Sequence, residues 1–172
     1  HYSNIEGESS FSIPDDIGLM YWDYYNCTRD HYAGRIKQRR SIAKQTMFAG
    51  GAWRWTGYMP HHKKTLESTI AALAACRQED MRDVIVTSWS DDGSEAPFYT
   101  ALFGVVLYAY LDYHADYVQE EFSQYLWLYT GMGFDEWMRQ GEPDLFTGCS
   151  GKNYDITPSK YLLYQDPLGS KF

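Results

Sequence analysis

The chain has 172 residues, of which 44% are hydrophobic and 22% charged, with a formal net charge of −8. That is enough apolar material for one globular domain, and an aromatic share of 17% excludes a solvated coil as a description of the whole. The acidic balance argues against nucleic acid, whose binders need a basic face for counterion release. No apolar run reaches the roughly 18 residues that a membrane span needs.

The unusual counts are 16 Tyr and 6 Trp. Amphipathic rings at that density suit a surface that grips something part apolar and part hydroxylated, and equally a thick core. Cys27, Cys76 and Cys149 are far apart, odd in number and without CxxC spacing, so neither a zinc site nor a disulfide framework is expected. Asn26-Cys27-Thr28 fits the N-glycosylation sequon, a tripeptide that also arises by chance. The chain opens on His1 with no basic or apolar leader and stops just after the turn Asp166-Pro167-Leu168-Gly169. It therefore reads as a piece of a longer protein, with no signal peptide in view and no assigned compartment.

Three short apolar runs, at 18–25, 46–51 and 83–89, have the length and composition of strands. The third is β-branched through its middle, the signature of a strand buried on both faces. Between the first two, 29–44 is rich in Arg, Lys, Gln and Ala and reads as a helix. Between the second and third, 62–79 repeats Leu66, Ile70, Leu73 and Ala74 at helical spacing, with Thr65 as a candidate start. A long apolar helix follows over 96–113, carrying Phe98, Leu102, Val105, Val106 and Leu111. From Asp116 onward the strands stop: helices are expected over 117–129 and 134–139, then a loop-rich stretch over 141–158 and a short helix over 160–164 capped by Ser159.

Trp22, Trp53 and Trp89 mark the strand ends at steps of 31 and 36 residues, enough for a strand, a helix and two loops, which takes about 30. The expected fold is thus α/β, an array of βα units with parallel crossovers, as in doubly wound sheets or (β/α)8 barrels. No GxGxxG follows any strand, which removes the main signature of a dinucleotide-binding sheet and leaves no cofactor to expect. The reading that remains is a partial (β/α)8 TIM barrel of about three βα units over 1–115, followed by the start of a helical domain over 116–172. In a barrel, chemistry sits on loops at the carboxyl ends of strands. That is where Tyr21-Trp22-Asp23, Trp53-Arg54-Trp55 and Trp89-Ser90-Asp91-Asp92-Gly93-Ser94-Glu95 fall.

The last of these sets Asp91, Asp92 and Glu95 beside an indole, a wall that can stack a sugar ring and bond its hydroxyls. The same loop could equally cap the next helix. Trp53 and Trp55, at i and i+2 of an extended segment, would form one flat aromatic wall, although one of them could be core. Tyr21 and Asp23 would share a face opposite Trp22, and an ionised Asp in a barrel mouth implies a polar ligand or partner. His31, His61 and His62 lack metal-ligand spacing and are expected in solvent at helix starts. Asp135-Glu136 imitates the carboxylate pair of glycosidases, but begins a helix after the last strand, where acids favour the macrodipole; it is not taken as catalytic.

The segments 48–57, Phe-Ala-Gly-Gly-Ala-Trp-Arg-Trp-Thr-Gly, and 86–95, Val-Thr-Ser-Trp-Ser-Asp-Asp-Gly-Ser-Glu, resemble glycoside hydrolase family 20. More closely, the chain is similar to bacterial β-N-acetylhexosaminidases that carry a helical C-terminal domain; 20–25 and 159–168 fit the same group. The resemblance implies the last three βα units of a barrel whose adjacent Asp-Glu pair, at the end of the fourth strand, lies upstream of His1, so that no catalytic residue falls in this chain. In that family the substrate's own acetamido group attacks the anomeric carbon. Trp89 matches the tryptophan that floors the terminal sugar, and Asp91 the acidic residue that binds its hydroxyls. Family members more often have Glu there, which leaves Asp92 or Glu95 to share the role. Trp53 and Trp55 fall where an aromatic helps enclose the acetamido group, and Tyr21, Trp22 and Asp23 fall on the family's sixth strand. The implied ligand is a terminal GlcNAc or GalNAc, with no metal, and the open flank of a partial barrel would self-associate or pair with the rest of the barrel. The alternative is a non-catalytic carbohydrate-binding or assembly module.

Overall fold

The protein is described by a computed structural model covering residues 13–90 and 95–145. Asp91, Asp92 and the helix expected over 160–164 lie outside these residues. In chain order the elements are β1 (Gly18–Trp22), α1 (Arg29–Arg40), β2 (Gln45–Gly51), α2 (His62–Gln78), β3 (Val84–Thr87), a 3-10 turn (Phe98–Ala101) running into α3 (Leu102–Tyr113), then α4 (Gln119–Thr130), α5 (Phe134–Arg139) and α6 (Glu142–Leu145).

The sheet runs β1-β2-β3 and is parallel throughout, with Tyr21 beside Phe48 and Phe48 beside Val84. Successive side chains alternate faces, so these register partners point the same way. They meet Tyr32, Ala33 and Ile36 of α1 and Ala71, Ala72, Ala75 and Cys76 of α2 in one core. Val84 and Val86 also reach the core formed by α2, α3 and α4. The crossover helices α1 and α2, and α3 after the last strand, therefore lie on one face of the sheet. A doubly wound sheet carries helices on both, so this one is singly wound. The other face has no helix over it among the described residues, which corrects the expectation that β3 is buried on both sides: Ile85 is 42% exposed.

Helix α1 buries one stripe and ends at Arg40, with Asp30 in its first turn and Lys37, Arg39 and Arg40 in its last, each sign suiting the dipole. Helix α2 starts three residues before Thr65. His61 is the cap, its Nδ1 accepting from the Lys64 amide at 3.4 Å, while Thr65 Oγ1 accepts from the Trp53 amide at 2.9 Å and ties the helix to the end of β2. Helix α3 approaches β2 closely enough that a Cβ on Gly104 would sit 2.4 Å from that of Ala52. Its buried side is Phe103, Val106, Leu107, Tyr110 and Leu111. Phe98, Leu102 and Val105, apolar positions of the expected helix, form an exposed stripe that lines a groove with Val86, Thr87 and Ser88 along the β3 edge of the sheet.

Leu73 of α2, Phe103 and Leu107 of α3, Phe122 and Leu126 of α4 and Trp137 of α5 share one core. The change near residue 116 is thus from alternating strands and helices to helices alone, not a gap in packing.

Candidate functional site at the carboxyl ends of the strands

At the end of β1, Asp23 is enclosed by the protein. Its Oδ2 accepts from the Tyr21 hydroxyl at 2.9 Å and meets His31 Nε2 at 2.8 Å, and its Oδ1 accepts from the Tyr25 amide at 3.0 Å. The carboxylate lies on the helix side, where Tyr21 is buried against Tyr32 and Phe48 with the Arg39 guanidinium 4.7 Å from its ring centroid. Burial, and then the Asp23 charge, push the Tyr21 hydroxyl well above its ordinary pKa. Tyr21 and Asp23 do share a face, as alternation requires, but it is the helix face and not the open one. Tyr21 is therefore core, and Asp23 is an internal hydrogen-bond hub. His31, expected in solvent, is the partner that this hub fixes one turn into α1.

Past the end of β2, Trp53 and Trp55 stack with ring centroids 4.4 Å apart and 24° between planes. The aromatic wall exists, but it faces inward: the two residues are 2% and 6% exposed and join Tyr24 and the half-buried Trp22 in a cluster of their own. Gly51 makes room for it, since a Cβ there would lie 2.8 Å from the Trp55 ring and 3.0 Å from Tyr24. The Trp53 indole donates to the Tyr24 carbonyl at 3.0 Å. Both indoles thus correct the expectation of a surface-lining pair.

The end of β3 differs. Trp89 is 37% exposed, with its Nε1 donating to the Tyr24 hydroxyl at 2.9 Å and its carbonyl accepting from Arg54 Nη1 at 3.0 Å. Arg54 Nη1 also reaches Ser90 Oγ at 3.4 Å, and Thr87 and Ser88 hydroxyls bond the Gly50 and Ala52 carbonyls at 2.8 and 3.3 Å. Glu95, across the undescribed part of the loop, is half-buried with Oε2 withdrawn from solvent. This end therefore presents a ring face beside an acidic sequence run, on a base fixed to β2. Sequence reasoning singled out the indoles but missed Tyr24 and Arg54, the residues that hold them. An Arg between two strand-end tryptophans is the one signal that pointed there.

The histidine pair is not solvated as expected. His62 sits between Phe103 and Trp137, 4.5 and 5.4 Å from their ring centroids. Burial lowers its pKa to about 4 despite its bond to Gln140. Glu136 Oε2 accepts from the Gly133 amide at 2.6 Å at the start of α5, the capping use expected of an acid there. Among the described residues no group of three His, Cys, Asp or Glu side chains could hold a metal ion, and no helix is long and apolar enough to cross a membrane. Burial drives the Cys76 thiol up to about 12, leaving it an inert core group. No family model matches the chain, and no curated protein matches it.

Proposed function

We propose that this chain is part of an exo-acting β-N-acetylhexosaminidase of the glycoside hydrolase family 20 type, supplying the last three βα units of a (β/α)8 barrel and one wall of its sugar pocket. The single observation that supports this most is Trp89: a displayed indole at the carboxyl end of a parallel strand, beside an acidic run, on a singly wound sheet. A barrel is single winding carried to closure, and its ligands meet the carboxyl ends of its strands.

In this reading the terminal GlcNAc or GalNAc lays its C–H face on the Trp89 indole. Asp91, with Asp92 and Glu95 nearby in sequence, accepts hydrogen bonds from the sugar hydroxyls. Trp53 and Trp55 act behind the pocket, as the packed support of Tyr24 and Gly51. The Asp-Glu pair of the family would come from the remainder of the barrel, where Glu protonates the leaving oxygen and Asp orients the acetamido group that attacks the anomeric carbon. The partner at the open sheet edge is that remainder, or a second copy of the chain when it is absent.

Release of a chromogenic aglycone from a β-N-acetylglucosaminide tests the reading, run on this chain alone and on a longer chain that supplies an Asp-Glu strand end. Turnover by the longer chain and none by this one is expected. Enzyme-like turnover by this chain alone would overturn the assignment of the catalytic pair. The second reading, a non-catalytic carbohydrate-binding module, is favoured by Asp23, a strand-end carboxylate already engaged by the Tyr21 hydroxyl, the Tyr25 amide and His31. Silence from both chains with retained sugar binding would select it.

A further inference from the structure

We infer that Tyr24 and Arg54 are positioning residues that lock Trp89 with its indole nitrogen turned into the protein, so that a ligand meets the ring face alone. The ligand class rests on the glycan reading above, whereas the lock itself rests on geometry.

Trp89 lies two residues beyond the last residue of β3, where a side chain would ordinarily be free to change rotamer. It is held instead from two directions. On the side-chain end, Nε1–H is donated to the Tyr24 hydroxyl at 2.9 Å; on the main-chain end, the carbonyl takes Arg54 Nη1 at 3.0 Å. Each anchor is itself fixed. Tyr24 is buried, its carbonyl accepts the Trp53 indole N–H at 3.0 Å, and its ring meets the Trp55 ring edgewise at 5.5 Å. Arg54 is buried with its guanidinium 5.2 Å from the Phe98 ring centroid, a stacked setting that suits Arg and not Lys.

An indole has one hydrogen-bond donor and no acceptor, and here that donor is spent inside the protein. What remains for a ligand is an electron-rich face of fixed orientation. Such a face recognises polarised C–H groups arrayed in a plane, as one side of a pyranose presents, and the ligand's hydroxyls must be read by other residues. Fixing the platform in advance removes the ordering cost from the binding step.

The test is the ¹⁵N–¹H spectrum of the six indoles of the full chain, with Trp89→Phe assigning one cross-peak and Trp53→Phe another, titrated with N-acetylglucosamine. Tyr24→Phe removes the acceptor of Trp89 but keeps the main-chain carbonyl that accepts from Trp53. The expected result is a displaced Trp89 cross-peak, an unmoved Trp53 cross-peak and a Kd for N-acetylglucosamine raised about fivefold, the scale of one neutral hydrogen bond. An unmoved Trp89 cross-peak, equal movement of both, or an unchanged Kd would overturn the inference. Should Tyr24→Phe lose its amide dispersion, Arg54→Lys carries the test from the other end, with displacement of the Trp89 backbone amide expected and its constancy contrary. If N-acetylglucosamine moves no indole of the unmutated chain while Tyr24→Phe still displaces that of Trp89, the lock stands and the glycan reading falls.

Discussion

The ends of β1 and β3 carry similar chemistry and use it in opposite ways. Asp23 and Tyr21 spend their polar atoms on one another, on His31 and on the Tyr25 amide, beneath the first turn of α1. Trp89 also spends its polar atom internally, yet the residue stays 37% exposed. Between them, the stacked Trp53 and Trp55 are sealed like the first and support the second. The difference teaches that a strand-end aromatic or acid becomes a candidate ligand contact only when its face, and not merely its position, is left open.

The largest expected effect comes from breaking the sealed middle. Trp53→Ala should cost about 3–5 kcal/mol, as removal of a large core ring does, read as a lowered urea midpoint. His62 extends the comparison to an imidazole closed between two rings. Its folded pKa of about 4 lies below the ordinary 6.5, so the unfolded chain binds the proton first as pH falls. Stability should be intact above pH 6.5 and decline towards pH 4, by on the order of 3 kcal/mol from this group. His62→Phe should flatten that slope in urea melts at successive pH values; an unchanged slope would assign it elsewhere.

Asp23→Ala strands the buried Tyr21 hydroxyl and should cost about 2–3 kcal/mol, with the loss confirmed as specific if Tyr21→Phe on the Asp23→Ala background recovers part of it. Trp89→Ala sits at the other extreme. With its ring partly in solvent it should cost clearly less stability than Trp53→Ala, about 1–2 kcal/mol, while reducing N-acetylglucosamine affinity at least tenfold, measured by titration calorimetry. Equal stability losses at Trp53 and Trp89 would erase the distinction between sealed and displayed ends.

The three strands were legible because each is a short apolar run bounded by turn residues, and the parallel order followed from their even spacing. What alternation could not say is which face of β1 meets helices. It grouped Tyr21 with Asp23 correctly and then sent both to the wrong side. In the helix expected over 96–113 apolar residues run nearly all round, so nothing in the pattern told the exposed Phe98, Leu102 and Val105 from the buried Phe103, Val106 and Leu107. Gly50 and Gly51, the last two residues of β2, admit close neighbours that the sequence did not name: Tyr24 and Trp55 over Gly51 and the Tyr108 hydroxyl over Gly50. The link of Asp23 to His31 crosses a loop of irregular backbone, and that of Arg54 to Trp89 crosses 35 residues of chain. Such pairings depend on how helices settle on the sheet, which no local pattern encodes.

The measurement that bears most directly on the contrast is hydroxyl-radical footprinting of the tryptophans, with and without N-acetylglucosamine. Trp89 should be oxidised in the free chain and protected by the sugar, with Trp53 and Trp55 unmodified in both states. Oxidation of Trp53 and Trp55 at the rate of Trp89, or a Trp89 rate that the sugar leaves unchanged, would contradict the account.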